Sequence, residues 1–435
     1  MKSSKPSNAI TLRLEKMTHL WEGFRSLPGA RVCRWLIKED EKQMIKAFLE
    51  TSYLEDNTLP DFFIPFHTMC TDSEDYSNEL IKELQDKVEL DRKALEAAGI
   101  VYSWTPETFS NEKEPELNYF LKNFFNFSQE IPSGELTVAV FMPAQVNREF
   151  SKWLAGLLSL TFPENLRLLL IEQLGDVTLD KLTAAYPELV NTTSLDLDMP
   201  DAMNQLASAG DPRDPGVKFR KAFLDLSQAA ANKNLTEVQR LELPPLILAR
   251  EHGWITMEIA VHSLVASAYI SLHQLPKALD RYTQAYSLAN NAWLAGERLG
   301  LTLAVQCLFN KGSLYIALKE FQEAAEAFGM AAIHALEAND FFQIMEAKRM
   351  QGFCLEKHGE WEQAFEVEKE ALTAAENLEE NLRQNSTLPY LGQSLLELSY
   401  RNGDKNEHIL LEEKMDVLAG RGWQNKLVTV KAAAI

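Results

Sequence analysis

The chain has 435 residues, 46% of them hydrophobic and 24% charged, an ordinary balance for a globular protein with a sizeable core. Length suggests about two or three domains and, with this composition, excludes wholesale disorder and collagen-like structure. The formal charge is −20 at pH 7, and the longest candidate apolar run, Trp153 to Phe162, is ten residues, short of the roughly 18–20 needed to span a bilayer.

The charge is uneven: residues 1–50 carry a net +4, residues 51–200 a net −16 and residues 201–435 a net −8. Phosphate binding needs clustered Lys and Arg so that counterions are released. This acidic field therefore argues against nucleic acid and against an anionic membrane surface as partners. It serves solubility, or docking to a basic protein. The N-terminal MKSSKPSNAI has no apolar stretch of the kind a secretory signal carries. The four cysteines, Cys33, Cys70, Cys307 and Cys354, form no CxxC pair, so no zinc site, redox motif or disulfide framework is expected. Reduced thiols and a cytoplasmic location follow as expectations.

In chain order, residues 1–24 read as a flexible N-terminus with a lead-in helix, and 25–206 as an acidic α/β domain. Strands are predicted at 31–37, 61–68, 135–143, 166–173 and 192–200. Helices are predicted at 39–53, 73–98, 115–128, 146–160 and 178–187. Short continuous apolar runs alternating with helices imply a mostly parallel sheet buried on both faces, in three layers. Tyr119, Phe120, Phe124, Phe125 and Phe127 cluster on one helix and are expected to pack in the core. Residues 207–216 (ASAGDPRDPG) are dense in turn formers and read as a linker. Residues 217–422 read as all helix, and 423–435 as a C-terminal tail.

The helical half repeats. Segments 262–289, 308–335 and 348–375 align on a small residue (Ala266, Gly312, Gly352) followed three positions later by Tyr269, Tyr315 and Leu355. An alanine follows twelve after the small residue (Ala278, Ala324, Ala364), then Tyr282, Phe328 and Glu368 four further on, and Ala285, Ala331 and Ala371 three beyond those. The periods are 46 and 40 residues. Helical hairpins cannot bury an apolar face alone, so such copies stack. This pattern resembles the tetratricopeptide repeat (TPR), in an extended form of ~40 residues, and the resemblance covers the C-terminal half only. Glu368 departs from it, since an aromatic is expected there. A fading fourth copy is read from Gly392, with Leu395 in the tyrosine slot and Asp404 at the alanine position. A half-formed copy precedes the first, over 216–232 and 235–251, with Pro244-Pro245 interrupting its second helix. The expected fold class is thus an α/β domain followed by an all-α TPR-like solenoid of helical hairpins.

An α/β domain before such an array weakly resembles the STAND signalling NTPases, but in degenerate form. A phosphate cradle needs GxxxxGK[ST], and no Gly-Lys pair exists in the chain; strand 31–37 runs instead into KEDEK. Apolar runs ending in acid, Leu168–Glu172 and Leu195–Asp198, read as strand ends rather than magnesium ligands. GxGxxG, GxSxG and HExxH are absent, and the eight histidines show no metal-ligand spacing. No catalytic residue, cofactor or metal is expected, and the chain is read as a non-enzyme.

The TPR resemblance implies that the first helix of each copy lines a concave groove. That places Ser267 from the first copy, Phe309, Asn310 and Ser313 from the second, and Arg349 and Phe353 from the third on the ligand side. Asparagine and arginine there suit the backbone or carboxylate of a peptide or helix, and the aromatics supply apolar anchors. Only Asn310 and Arg349 fit a carboxylate clamp, so a chaperone C-terminus is not the expected ligand. The leading reading is a protein-interaction adaptor or scaffold that binds a partner segment in the groove and docks a larger assembly through the acidic domain. The alternatives are a degenerate STAND-like NTPase or regulatory sensor, and a cytosolic chaperone for a secreted or toxic cargo protein.

Overall fold

In a computed structural model of the chain, the structure describes residues 8–52, 59, 61–97, 104–107, 116–130, 136–142, 146–403, 405–424 and 427. The chain divides into two compact units, Met1–Leu206 and Ala207–Ile435.

The first unit runs α1 (Ala9–Arg25), β1 (Val32–Ile37), a 3-10 turn (Glu39–Glu41), α2 (Lys42–Ser52), β2 (Phe62–Phe66), α3 (Tyr76–Ala97), α4 (Glu116–Ser128), β3 (Thr137–Phe141), α5 (Arg148–Leu158), β4 (Leu166–Gln173), α6 (Asp180–Ala185), β5 (Val190–Ser194) and α7 (Met199–Ser208). All five strands are parallel, in the order β2-β3-β4-β1-β5. Side chains alternate between two buried faces. Cys33, Trp35 and Ile37 of β1 meet α1, α2 and α7 on one face through Trp21, Phe48 and Met199. Val32 shares the other face with Leu168 and Leu170 of β4, under α3, α4 and α5 through Leu80, Phe124 and Trp153. This is the three-layer arrangement expected from unbroken apolar strands. Phe120, Phe124 and Phe127 are core residues, whereas Phe125 of the same cluster is exposed.

Two expectations for this unit need correction. The helix at the N-terminus is not a lead-in: Met17, Trp21 and Phe24 are buried, and the Trp21 indole N–H donates to the buried Asp61 carboxylate (2.7 Å), which also accepts from Leu136 N–H (3.0 Å). The last strand ends at Ser194, not near residue 200. Asp196 and Asp198 adopt left-handed backbone (φ 46° and 50°), and the carbonyls of Asp196, Leu197 and Asp198 are held by Lys16 and Arg13 of α1. Leu195 and Leu197 still point into the core, so the alternating pattern reports burial without a strand.

The second unit comprises α8 (Pro215–Ala231), α9 (Leu235–Leu241), α10 (Leu243–Glu251), α11 (Ile255–Ser271), α12 (Leu275–Leu294), α13 (Arg298–Leu318), α14 (Phe321–Glu337), α15 (Phe341–His358), α16 (Trp361–Ala375), α17 (Glu380–Gln384), α18 (Leu388–Asn402) and α19 (Lys405–Ala419). The pairs α11/α12, α13/α14 and α15/α16 are the three aligned copies, stacked as antiparallel TPR-like hairpins. As Pro244-Pro245 predicts, the preceding copy breaks, with α9 ending at Leu241 and α10 starting at Leu243. The small-residue position has a direct cause: a Cβ on Gly312 would lie 2.6 Å from the Phe328 ring, and one on Gly352 would lie 2.4 Å from Cγ of Glu368. Glycine lets paired helices close onto the bulky residue sixteen positions on. Ala324, Ala331, Ala364 and Ala371 are fully buried at the same crossings.

The fourth copy is shifted. Gly359 and Gly403 are equivalent left-handed caps of α15 and α18, and they lie 44 residues apart. Gly392 therefore sits one helical turn earlier than Gly352, and it packs against Met415 of α19 (2.4 Å from the Met415 methyl to the added Cβ). Asp404 lies outside the described residues, as do 1–7 and 428–435. The expected tail begins in the core, because Trp423 is 1% exposed. By length and composition alone α13 could cross a membrane, contrary to the sequence reading, yet Leu301, Ala304, Val305, Leu308 and Leu314 bury it between α12 and α14.

Candidate functional site

The residues expected to line the groove occupy two rows along the first helices of successive hairpins. Ser267, Ser313 and Phe353 are equivalent, each one position after the small residue; Phe309 and Arg349 are equivalent, three positions before it. Ser267 and Ser313 are exposed. Asn310 is half-buried. Phe309 is not an open anchor, because its ring packs edge-on against Phe328 at 5.6 Å. The half-buried Phe353 lies under the Lys357 ammonium, 5.3 Å from its ring centre. Arg349 is already engaged: Nε and Nη2 donate to both oxygens of Glu346 (3.0 and 2.6 Å), and Glu346 also accepts from Thr387. Its charge is therefore neutralised within the protein, which weakens its expected role as a clamp for a ligand carboxylate.

Counted back from the glycine caps, the two rows continue onto α18 at Gln393 and Glu397. Both line a cavity of about 550 Å³, completed by Leu396, Tyr400 and Arg401 of α18, His408 of α19, and Trp423, Gln424 and Leu427 of the terminal turn. Its position and chemistry set it apart from the rest of the array. Tyr400 is 82% exposed at its edge. Arg401 stacks over the Trp361 ring at 5.1 Å and reaches Glu356 at 3.8 Å, which ties α18 to the previous hairpin. His408 Nδ1 and Ser399 Oγ are 2.8 Å apart. The indole N–H of Trp423 is buried and has no acceptor among the described residues. The cavity thus combines apolar walls with Gln393, Glu397, Arg401 and Gln424. Such a lining suits a bulky apolar side chain carried on a peptide backbone. Sequence reasoning missed it because Trp423 follows Gly420 and Gly422 and reads as tail; a large aromatic beyond the last helix was the available signal.

One buried position in the repeats is anomalous. Glu368 takes the place of the aromatics Tyr282 and Phe328, 1% exposed, with Oε1 accepting from Ser394 Oγ (2.9 Å) and Oε2 without a hydrogen-bond partner among the described residues. Burial pushes its carboxyl up to about 8; Ser394 and Arg349 oppose this, and Glu356 and Glu397 reinforce it.

In the α/β unit, the resemblance to STAND proteins would put a nucleotide phosphate on the amides of the turn after β1. The residues there do not fit one. Glu41 is fully buried and accepts from Lys38 N–H (2.8 Å) and Leu197 N–H (2.6 Å). Lys38 Nζ pairs with Asp196 at 2.7 Å. After β4, Glu172 Oε1 accepts from Thr178 N–H (2.7 Å) and Leu179 N–H (3.2 Å), while Oε2 binds Arg34 (2.5 Å). Glutamates of the chain occupy the donors that an incoming anion would need. Glu172, at the end of one acid-terminated run, is thereby committed to Arg34. The four cysteines are buried and free, with burial pushing the Cys307 thiol up to about 11.

No protein-family model matches the chain, and no curated relative matches it. Among solved structures it is similar to BtubC (BKLC) from P. vanneervenii, at 15% identity and TM-score 0.38, over 56% of this chain and 91% of that one. It is also similar to a STAND protein with a tetratricopeptide repeat sensor from Pyrococcus horikoshii, at 16% identity and TM-score 0.40, over 91% of this chain and 54% of that one. A Rap protein complexed with competence and sporulation factor matches at 16% identity and TM-score 0.33, over 81% of this chain and 87% of that one. These scores are too low to transfer a fold or a role, so the architecture rests on the hairpins and sheet described above.

Proposed function

We propose that the chain is a non-enzymatic, cytoplasmic protein-interaction scaffold whose helical repeats bind a segment of a partner protein. The observation that carries this reading is the cavity between α18, α19 and the terminal turn, where the two rows of groove residues end. The partner's backbone lies along Ser313, Phe353, Gln393 and Glu397, and one large apolar side chain enters between Leu396, Tyr400 and Trp423. The groove's own charges are largely paired, so contact rests on shape and apolar area rather than on a carboxylate clamp.

The test is site-specific photo-crosslinking in native lysate. A photoreactive side chain at Tyr400 or Ser313 should give the same partner bands, and one at exposed Thr373 of α16 should not. Leu396→Asp, with helicity checked by circular dichroism, should abolish the Tyr400 crosslink. Equal crosslinking from all three positions would refute the groove.

A further inference from the structure

The repeats also provide an internal control for surface residues, and one helix fails it. Three outward positions on the second helix are exposed or half-buried in each of the three aligned hairpins. In α12 they hold Gln284, Ser287 and Asn290, and in α16 Glu370, Thr373 and Glu376. In α14 they hold Met330, Ile333 and Leu336, exposed by 44%, 59% and 61%. The helices are equivalent in fold, so hairpin packing does not call for apolar residues at these places.

Charge supplies the second observation. α14 contains no Lys or Arg, and its only potential cation, His334, is buried beside Tyr286. Glu323 and Glu326 stand at one end of the stripe and Glu337 at the other, spaced so that 323, 326, 330, 333 and 337 share a helical face. An apolar stripe bracketed only by carboxylates complements an amphipathic helix whose apolar face is flanked by Lys or Arg. A second copy of this chain would set carboxylate against carboxylate.

We propose that the outer face of α14 is a second docking surface, independent of the groove, that takes a basic amphipathic helix of a partner protein. Met330, Ile333 and Leu336 receive its apolar residues, and Glu323, Glu326 and Glu337 pair with its cations. No residue of α14 lines the cavity at the end of the array, so the two surfaces can be occupied together or fail separately.

The probe is a fluorescein-labelled leucine/lysine peptide of about 18 residues, with leucines at helical spacing, titrated against the full chain by anisotropy. The variant Met330→Gln/Ile333→Ser/Leu336→Asn carries the residues α12 already uses at these positions, so it should fold as the wild type does by circular dichroism. Wild type should bind, the variant should bind at least about tenfold more weakly, and raising salt from about 0.05 to 0.5 M should weaken both. Glu323→Gln/Glu326→Gln/Glu337→Gln should flatten the salt dependence. Equal binding by wild type and the apolar variant would overturn the proposal, because charge alone would then explain capture; so would no binding at low salt. A wild-type dimer in light scattering that the apolar variant dissolves would overturn it in favour of self-association. Retention of the Tyr400 crosslink in the α14 variant would separate this surface from the groove.

Discussion

Glu368 makes a quantitative forecast. In the unfolded chain its carboxyl titrates near 4.5, and burial under Gly352 raises it to about 8. Between those values the folded state holds a proton that the unfolded state releases. The stability associated with this group is therefore complete below pH 4.5 and is lost as pH rises through 8, at about 1.4 kcal/mol per pH unit. Glu368→Gln keeps the Ser394 hydrogen bond and stands in for the protonated acid at every pH. The variant should thus exceed wild type by about 2 kcal/mol near pH 6 and by about 5 kcal/mol above pH 8, with the gap constant beyond. Ser394, Glu397, Glu356 and Arg349 face the group from α18 and α15, and all remain in the variant. Native-state hydrogen exchange of the α15 and α16 amides in the full chain reads the opening free energy of this hairpin directly. A gap that does not change with pH would refute the reasoning, since it would mean that Glu368 is charged in the fold and solvated by groups or water not accounted for above.

Other outcomes follow from the same packing. Ala324→Leu places a larger side chain at a fully buried crossing and should lower stability by ~1–3 kcal/mol, read as a lower melting temperature. Gly312→Ala should destabilise through the 2.6 Å approach to Phe328, and Phe328→Leu should cost less in that background than alone, a non-additivity that a double-mutant cycle measures. Arg34→Met strands the buried Glu172 and should cost about 3–5 kcal/mol in denaturant titrations, much of it recovered by adding Glu172→Gln. Millimolar ATP with magnesium should leave the melting temperature unchanged; micromolar affinity would instead add roughly 4 kcal/mol, so a clear upward shift would reopen the nucleotide reading.

The first four strands were legible because each is a short apolar run with both faces buried, as in Leu166–Ile171. The fifth was misplaced for a specific reason: Leu195-Asp196-Leu197-Asp198 alternates like a strand, but its backbone is bent and held by Arg13 and Lys16, partners about 180 residues away that no local pattern reveals. The three repeat copies were readable from small residues because close approach leaves no other choice at Gly312 and Gly352. The fourth slipped because α18 carries an extra turn before its cap: Gly392 precedes Gly403 by eleven residues, whereas Gly352 precedes Gly359 by seven. Along the first helices of the hairpins, the spacing in the sequence aligns equivalent positions but does not give the state of their side chains. Phe309 is taken up by Phe328, and Arg349 is neutralised by Glu346, a partner three residues upstream that the sequence did display.

The apolar character of α13 has a consequence for synthesis. Leaving the ribosome, this segment exposes an apolar helix that is long enough to cross a bilayer by length and composition alone, and its neighbours cover much of it in the finished array. α12 has already emerged by then and can shield one flank at once; α14 must follow to close the other. The order of elements along the chain thus protects its most vulnerable helix during translation. A truncation that ends after α13, or a deletion of α12, should send the product toward aggregates or membranes, while a truncation after α14 should not.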